Sequence, residues 1–388
     1  MSIAATTLAL LSLFALALSA SVALANPVIK PAPPELSAKS YLLMDARTGE
    51  MLIEKDIDIQ LPPASLTKMM TSYIASKEIA EGRLGYDDEV LISDNAWKKG
   101  GAKSGGSTMF LDPRTRVTVR ELLKGIIIQS GNDAAIAIAE HIAGGETAFA
   151  DVMNQQAQQL GMYGTRFENA TGWPAEGHVS TARDLALLAK AIIYRHPEDY
   201  ALYKEKYFEY NGINQPNRNR LLFRDRSVDG LKTGHTQAAG YCLVSSAERD
   251  GMRLIAVVLG TNSDDIRARE SQKLLSYGFR YFETAQLFAA GHEFEEVKVW
   301  AGAGESVQLV LSDAISLTIP RGSREKIKAE ADVQSRIIAP LTEGQALGEL
   351  IISLDGEELL RQDLVAKNAV EEAGFFGRTW DKLMMKFE

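Results

Sequence analysis

Short apolar runs open the folded part of the chain. Ser40-Tyr41-Leu42-Leu43-Met44-Asp45 reads as a strand, Ala46-Arg47-Thr48-Gly49 as a turn, and Glu50-Met51-Leu52-Ile53-Glu54 as a returning strand. The period then changes. From Ala64 to about Gly82 the apolar residues Leu66, Met69, Met70, Tyr73, Ile74 and Ile79 recur at helical spacing. Leu122 to Ile142 is a second helical region, broken at Gln129-Ser130-Gly131-Asn132-Asp133. Thr181 to Tyr194 is a third, with Thr181 or Ser180 as its cap. Gly240 to Glu248, the turn Arg249-Asp250-Gly251 and the β-branched run Arg253 to Leu259 predict an antiparallel hairpin in the core of a sheet. Ser271 to Ala289 is helical again. Strands at both ends of a helical middle imply one α/β (α+β) domain over residues 35–290, its sheet joining segments far apart in the chain.

Beyond Gly291 the texture becomes short alternating runs, Val297 to Trp300, Val307 to Leu311, Ile315 to Ile319 and Leu350 to Leu354, with a hairpin turn at Asp355-Gly356. This predicts a small all-β domain over 293–365. No cluster in it suggests chemistry, so it reads as a spacer or adaptor. Residues 368–388 form a third texture. Phe375, Phe376, Trp380, Leu383, Met384 and Phe387 fall on one half of a helical wheel, with Arg378, Asp381, Lys382 and Lys386 on the other and Met385 out of place among them. Such a helix can lie in a membrane interface; packing against its own protein or a partner is the alternative.

The first 25 residues stand apart. Ile3 to Ala25 carries no charge, Leu8 to Leu16 is a compact apolar heart, and Ala23-Leu24-Ala25 supplies small residues ahead of Asn26-Pro27. This predicts an export signal over 1–25, although the segment before the apolar heart has no Lys or Arg. An uncleaved anchor is the alternative, since the stretch reaches the roughly 20 residues that a span needs. Either way the remainder is exported. The net charge of −9, with no block of basic residues, argues against a phosphate-tracking groove and so against nucleic acid as a partner. With Cys242 as the single cysteine, no intramolecular disulfide can form, and its apolar neighbours Tyr241, Leu243 and Val244 mark it as a buried hydrophobe.

Three short motifs carry candidate chemistry. Ser65-Leu66-Thr67-Lys68 sits at a predicted helix start, where residues three apart share a face, so the Lys68 amine lies beside the Ser65 hydroxyl. Serine becomes a useful nucleophile when a neighbouring base takes its proton. Lysine serves as that base only when desolvation or a nearby cation keeps it neutral. Orphan N–H groups at the helix start can hold a developing oxyanion. Ser130-Gly131-Asn132 interrupts a helical pattern. There a hydroxyl can relay a proton to a leaving amine, and an amide can bind a substrate peptide group or orient Lys68. Lys232-Thr233-Gly234 leads into the core hairpin. Lys232 can hold a carboxylate and repel a charge on Lys68, Thr233 adds a donor, and Gly234 leaves room for a substrate strand. Each string alone is common background, and Ser130-Gly131-Asn132 by itself is equally an ordinary loop.

Together and in this order, the three motifs resemble the signature of penicillin-binding proteins and serine β-lactamases. Pro62-Pro63-Ala64-Ser65-Leu66-Thr67-Lys68-Met69-Met70-Thr71, Gly106-Ser107-Thr108-Met109-Phe110-Leu111 and Val228-Asp229-Gly230-Leu231-Lys232-Thr233-Gly234-His235-Thr236 are similar to the D-alanyl-D-alanine carboxypeptidase branch. That resemblance implies a β-lactamase/transpeptidase-like domain of antiparallel sheet and helices, followed by the small all-β domain and the tail helix. It implies catalysis by Ser65, Lys68 and Ser130. Substrate binding would fall to Asn132, Lys232, Thr233, Gly234 and His235, with Arg218 near the site and Arg267 linked to recognition of the terminal carboxylate, although surface salt bridges explain an arginine as well. The Ser65 and His235 amides would form an oxyanion hole. The implied partners are the peptidoglycan stem peptide and β-lactams, and the tail would attach to the periplasmic face of the inner membrane. No cofactor or metal is expected: the five histidines are scattered, without His-Glu-x-x-His.

Other readings share this fold. A class A β-lactamase needs a glutamate to activate water, and Glu168 follows Asn132 at a suitable distance, but its context lacks the Glu-x-x-Leu-Asn arrangement. A transpeptidase, or a wall-binding scaffold that has lost activity, would carry the same motifs.

Overall fold

The computed structural model describes residues 31–385. The expected export signal at 1–25 lies outside the described residues, as do residues 386–388 of the tail.

Strands β1 (Ser40–Asp45) and β2 (Met51–Lys55) form the first hairpin. A 3-10 turn at Ala64–Thr67 runs into helix α1 (Lys68–Ala80), and helices α2 (Asn132–Ala143), α3 (Glu146–Gln159) and α4 (Ala182–Arg195) follow. Thr181 caps α4, its hydroxyl accepting from the Asp184 N–H. The chain then returns to the sheet as β3 (Val228–Thr236), β4 (Gly240–Arg249) and β5 (Met252–Thr261), and closes with helix α5 (Asp264–Tyr281). The sheet order is β2-β1-β5-β4-β3, antiparallel throughout. The expected joining of distant segments occurs where β1 pairs with β5, Leu42 opposite Val257.

Side chains alternate across this sheet with a period of two. Leu42, Met44, Val244, Ile255 and Val257 point to a core shared with α1 and α4, while Leu43, Leu243, Leu254, Ala256 and Val258 pack under α5. Both faces are covered, which explains the unbroken apolar run in β5. Helix α1 is buried from Lys68 to Ser76 without a break, so it is a central helix rather than an amphipathic surface one. A third apolar cluster, including Met109, Leu122, Ile126 and Ile138, supports the start of α2.

The region expected to be helical from Ser271 to Ala289 is divided differently. Ser263 caps α5, which begins at Asp264 and stops at Tyr281; Phe282–Phe288 is strand β6. The cause is non-local. β6 pairs with a later strand, Ile315–Pro320, from Phe282 opposite Pro320 to Phe288 opposite Ile315, and this ladder overrides a local pattern that suits a helix. The β-rich part therefore starts at Phe282, ahead of the expected 293.

That part continues with β7 (Glu293–Trp300), β8 (Ser306–Leu311), β9 (Ile315–Pro320), β10 (Ile327–Val333), β11 (Ile337–Ile338), β12 (Ala346–Leu354) and β13 (Glu357–Ala366). Six of them form a sheet in the order β10-β12-β13-β8-β7-β11 around a core including Leu309, Leu350, Ile352 and Leu364. The β12–β13 turn is the expected Asp355-Gly356 pair, both at positive φ, as a two-residue type I′ hairpin requires. Helix α6 (Phe375–Met384) ends the described chain. Among the described residues, no helix is long and apolar enough to cross a membrane.

One buried carboxylate ties the β-rich part to the first sheet. Asp45, at the end of β1, accepts from the Arg47 and Thr48 N–H groups in its own turn and from the hydroxyls of Thr284 and Thr318. Asp45→Ala leaves these donors without their acceptor, so a loss of about 2–4 kcal/mol of stability is expected, measured as a lower midpoint in urea and on heating. An unchanged midpoint would show that the Asp45 contacts contribute nothing.

Candidate active site

The 3-10 turn that opens α1 sets the first distance. In a turn of three residues, positions i and i+3 eclipse, and Lys68 Nζ lies 3.2 Å from Ser65 Oγ. Lys68 is fully buried, and its other two neighbours are acceptors, Asn132 Oδ1 and the Thr171 carbonyl, each at 2.6 Å. In its neutral form this amine has two N–H bonds and one lone pair. The two acceptors take the two N–H groups and the lone pair faces the serine hydroxyl. Burial pulls the Lys68 pKa down to about 7, opposed by the nearby Asp133 carboxylate. Burial rather than repulsion from Lys232 is thus the leading cause of its lowered basicity.

The second motif is held by an irregular backbone. The helix before it widens to a π-turn at Gly125–Gln129, and Ser130 then adopts φ 63° and ψ 32°. A left-handed serine is sterically costly; here it turns the chain so that Ser130 enters the cleft and α2 restarts at Asn132. Asp133 fixes that start. Its buried carboxylate accepts from the Thr108 hydroxyl and from the N–H groups of Met109 and Leu111, which clamps the Gly106–Leu111 segment against α2. The Asn132 N–H donates to the Ser107 carbonyl.

The third motif lies on β3, an edge strand of the sheet. Lys232 is buried, with Nζ 2.9 Å from Ser130 Oγ and 3.1 Å from the Thr233 carbonyl. Its pKa falls well below the usual lysine range, first through burial and then through the charges of Lys68, Arg267 and Arg218. A carboxylate placed beside it would restore the ammonium form. Arg267 reaches in from α5 and donates to the Gly234 carbonyl at 3.0 Å while pairing with Asp264, so it braces the motif from behind. Gly234 has a packing reason beside the one expected. A Cβ there would lie 2.9 Å from the Pro63 carbonyl and 3.3 Å from Ala64 Cβ. The glycine therefore makes room for the turn that bears Ser65.

Ser65, Ser130, Asn132, Arg218, Thr233, Gly234, His235 and Arg267 all line one cleft of about 580 Å³, with Lys68 and Lys232 buried beneath it. Among the described residues, no Asp or Glu lines this cleft. Its surroundings carry two lysines and two arginines in a chain of net charge −9, a local field suited to an anion. His235 is exposed and stacks on Tyr241, ring centroids 4.0 Å apart.

Sequence reasoning missed the opposite wall. Thr171, Gly172, Trp173 and Pro174 face the same cleft. Asn169 organises them by accepting from the N–H groups of Thr171, Gly172 and Trp173. Gly172, at φ 83°, packs so closely that a Cβ would lie 1.8 Å from the Ala64 carbonyl. His178 joins this wall to the nucleophile turn. Its Nδ1 accepts from the Glu168 N–H, which leaves Nε2 to donate to Thr67 Oγ1 at 2.8 Å. Burial pushes its pKa down to about 4, so the ring stays neutral. Glu168 itself pairs with Arg166 and is not part of the cleft lining. Cys242 is buried with its thiol pushed up to about 11 by burial, an inert packing residue as expected.

Residues 27–263 match the family model of D-alanyl-D-alanine carboxypeptidase, and residues 282–372 match that of penicillin-binding protein 5, C-terminal domain. The chain is 46% identical over 357 residues to D-alanyl-D-alanine carboxypeptidase DacC of Escherichia coli, covering 91% of this chain and 89% of that protein. Its structure is similar to penicillin binding protein 5 from Haemophilus influenzae, at a TM-score of 0.84 and 41% identity, over 88% of this chain and 100% of that one. It is also similar to penicillin-binding protein D2 from Listeria monocytogenes in its ampicillin-bound form, at a TM-score of 0.56 and 31% identity, over 64% of this chain and 100% of that one. Motif order, cleft and two-part architecture converge with these matches: the chain belongs to the D-alanyl-D-alanine carboxypeptidase family and is a serine-type hydrolase.

Proposed function

We propose that Ser65 removes the terminal D-alanine from peptidoglycan stem pentapeptides through an acyl-enzyme. The observation that carries this reading is the buried Lys68 amine, 3.2 Å from the Ser65 oxygen and held by two acceptors. Neutral Lys68 takes the Ser65 proton as the oxygen attacks the carbonyl between the two terminal D-alanines. The Ser65 and His235 N–H groups hold the oxyanion. Collapse breaks the peptide C–N bond and leaves a Ser65 ester; the Ser130 hydroxyl gives its proton to the leaving amine and is reprotonated by the Lys68 ammonium, which leaves Lys68 neutral again. Lys232, Thr233 and Arg218 hold the carboxylate of that D-alanine, and Arg267 steadies the strand through Gly234. Water then attacks the ester, with Lys68 as base again, and releases the shortened peptide.

Penicillins enter by the same route. Ser65 opens the β-lactam amide, and the departing nitrogen stays tethered to the acyl group, so the ester persists. The cleft lining without a carboxylate, and Glu168 engaged elsewhere, favour slow deacylation over a β-lactamase. The intact constellation favours an enzyme over an inactive scaffold. The ampicillin-bound relative supports penicillin as a ligand.

The same reading places the protein outside the cytoplasm, with α6 lying in the outer surface of the inner membrane. Phe375, Phe376 and Trp380 are 71%, 87% and 65% exposed. On the polar side Asp381 accepts from the Ala301 N–H and Arg378 pairs with Glu372. The aromatic face is thus turned outward by contacts on its opposite side, as an interfacial helix requires.

Mass spectrometry after penicillin exposure should locate one adduct on the peptide containing Ser65, and Ser65→Ala should lose both the adduct and D-alanine release; an adduct elsewhere refutes the assignment. Because only neutral Lys68 acts as base, kcat/KM should fall about tenfold per pH unit below about 7 and level off above it. Lys68→Ala should lower it by about 10²–10⁴-fold; a flat profile between pH 5 and 8 would remove Lys68 as the base. Deleting the residues after Ala366 should move the protein from the membrane to the soluble fraction, and unchanged fractionation would end the anchor reading.

A further inference from the structure

A cavity of about 520 Å³ shares no lining residue with the cleft. One side of α4 forms its floor. Leu187, Lys190, Ala191, Tyr194 and Arg195 recur there at steps of three and four, so they fall on a single face of the helix. Leu160, just after α3, extends the apolar part, and Arg47 enters from the turn between β1 and β2. Lys190 joins helix to turn: its Nζ reaches the Arg47 carbonyl at 3.5 Å, and a Cβ on Gly49 would lie 3.1 Å from it.

Arg47, Lys190 and Arg195 thus meet around one space in a chain of net charge −9. Among the described residues, no Asp or Glu lines the cavity and none of the three cations is in an ion pair. Arg195 donates to the Tyr73 hydroxyl at 3.2 Å, which leaves most of its N–H groups unused. A helix C-terminus favours cations in its last turn, which accounts for Arg195 but not for Arg47, brought in from the sheet. Tyr194, 45% exposed, adds a hydroxyl; burial raises its pKa although Arg47 and Arg253 pull it down, so it stays a donor. No step of the hydrolysis uses any of these groups.

We infer that this cavity is a second ligand site and that it takes an amphiphilic phosphate, its head on Arg47, Lys190 and Arg195 and its apolar chain along Leu160, Leu187 and Ala191. A tetrahedral head offers three oxygens to cations that arrive from two elements, whereas a carboxylate offers two, and the arginine fork matches phosphate geometry. The half-buried Leu160 and Leu187 favour a ligand that also covers apolar surface. Bound there, the ligand holds α4 to the β1–β2 turn. That turn follows Asp45, which accepts from Thr284 and Thr318 of the β-rich part.

The test is calorimetric titration of the full protein with octyl phosphate below its micelle concentration, inorganic phosphate and the neutral octyl glucoside. Octyl phosphate should bind about tenfold more tightly than inorganic phosphate, and octyl glucoside should not bind. Arg47→Ala with Lys190→Ala should weaken octyl phosphate by at least about tenfold and leave D-alanine release unchanged. Lys190→Glu, a single reversal on the helix, should give the same loss should the double variant not fold. Arg218→Ala controls for the cleft and should leave the affinity as it was. With vesicles of phosphatidylglycerol, lost binding in the variant identifies a lipid headgroup as the source. Unchanged vesicle binding beside lost octyl phosphate binding identifies a soluble phosphate, and either result supports the site. The inference is overturned if octyl phosphate binds wild type and the cavity variants alike, if Arg218→Ala alone abolishes binding, or if inorganic phosphate binds as tightly.

Discussion

Lys68 is a lysine side chain with no exposure, held at the centre of the molecule by three oxygen atoms from three separate segments. The nucleophile turn supplies one, the start of α2 another, and the loop around Thr171 the third. An amine sealed from water is tolerated because its N–H groups meet oxygen acceptors and burial lowers its pKa to about 7, so that the neutral form is within reach. That one constraint explains much else. Helix α1 must be central to bury its first turn, the chain must break at Ser130 to bring Asn132 inward, and Gly172 must lack a side chain for its loop to close on Ala64.

Around this base the cleft is built as an anion site. Burial lowers the pKa of Lys232, and Lys68, Arg267 and Arg218 lie close enough for their charges to lower it further. Such crowding is unfavourable until a negative group arrives, so the carboxylate of a substrate both binds the site and restores the charge on Lys232. The hydroxyl of Ser130 touches this second lysine, which couples the end that recognises a carboxylate to the one that handles the leaving nitrogen.

The β-rich part contributes no residue to the cleft. Its attachment runs through Asp45 and two threonines, with Arg321 donating to the Phe279 carbonyl nearby. It carries α6 at its far end in sequence, with aromatic residues outward. A rigid spacer between a catalytic body and an interfacial helix would fix how far the cleft stands from a surface.

Much of this was legible in the chain. The Ser65–Lys68 contact follows from spacing in a helical turn, because that geometry is local. The hairpins at Arg249-Asp250-Gly251 and Asp355-Gly356 follow from turn chemistry that is also local. That Ser130 and Lys232 belong beside them came from resemblance, since no local rule joins residues so far apart. Other features had no sequence signal at all. The third partner of Lys68 is the Thr171 backbone carbonyl, and every residue has one. Gly234 and Gly172 serve close packing against a turn that arrives from elsewhere in the chain, and His178 joins two such segments. Phe282–Phe288 became a strand because a partner lay alongside it. The chain determined which local shapes and reactive groups were available; contacts between distant segments decided where the charges are buried, and so which of those groups can act.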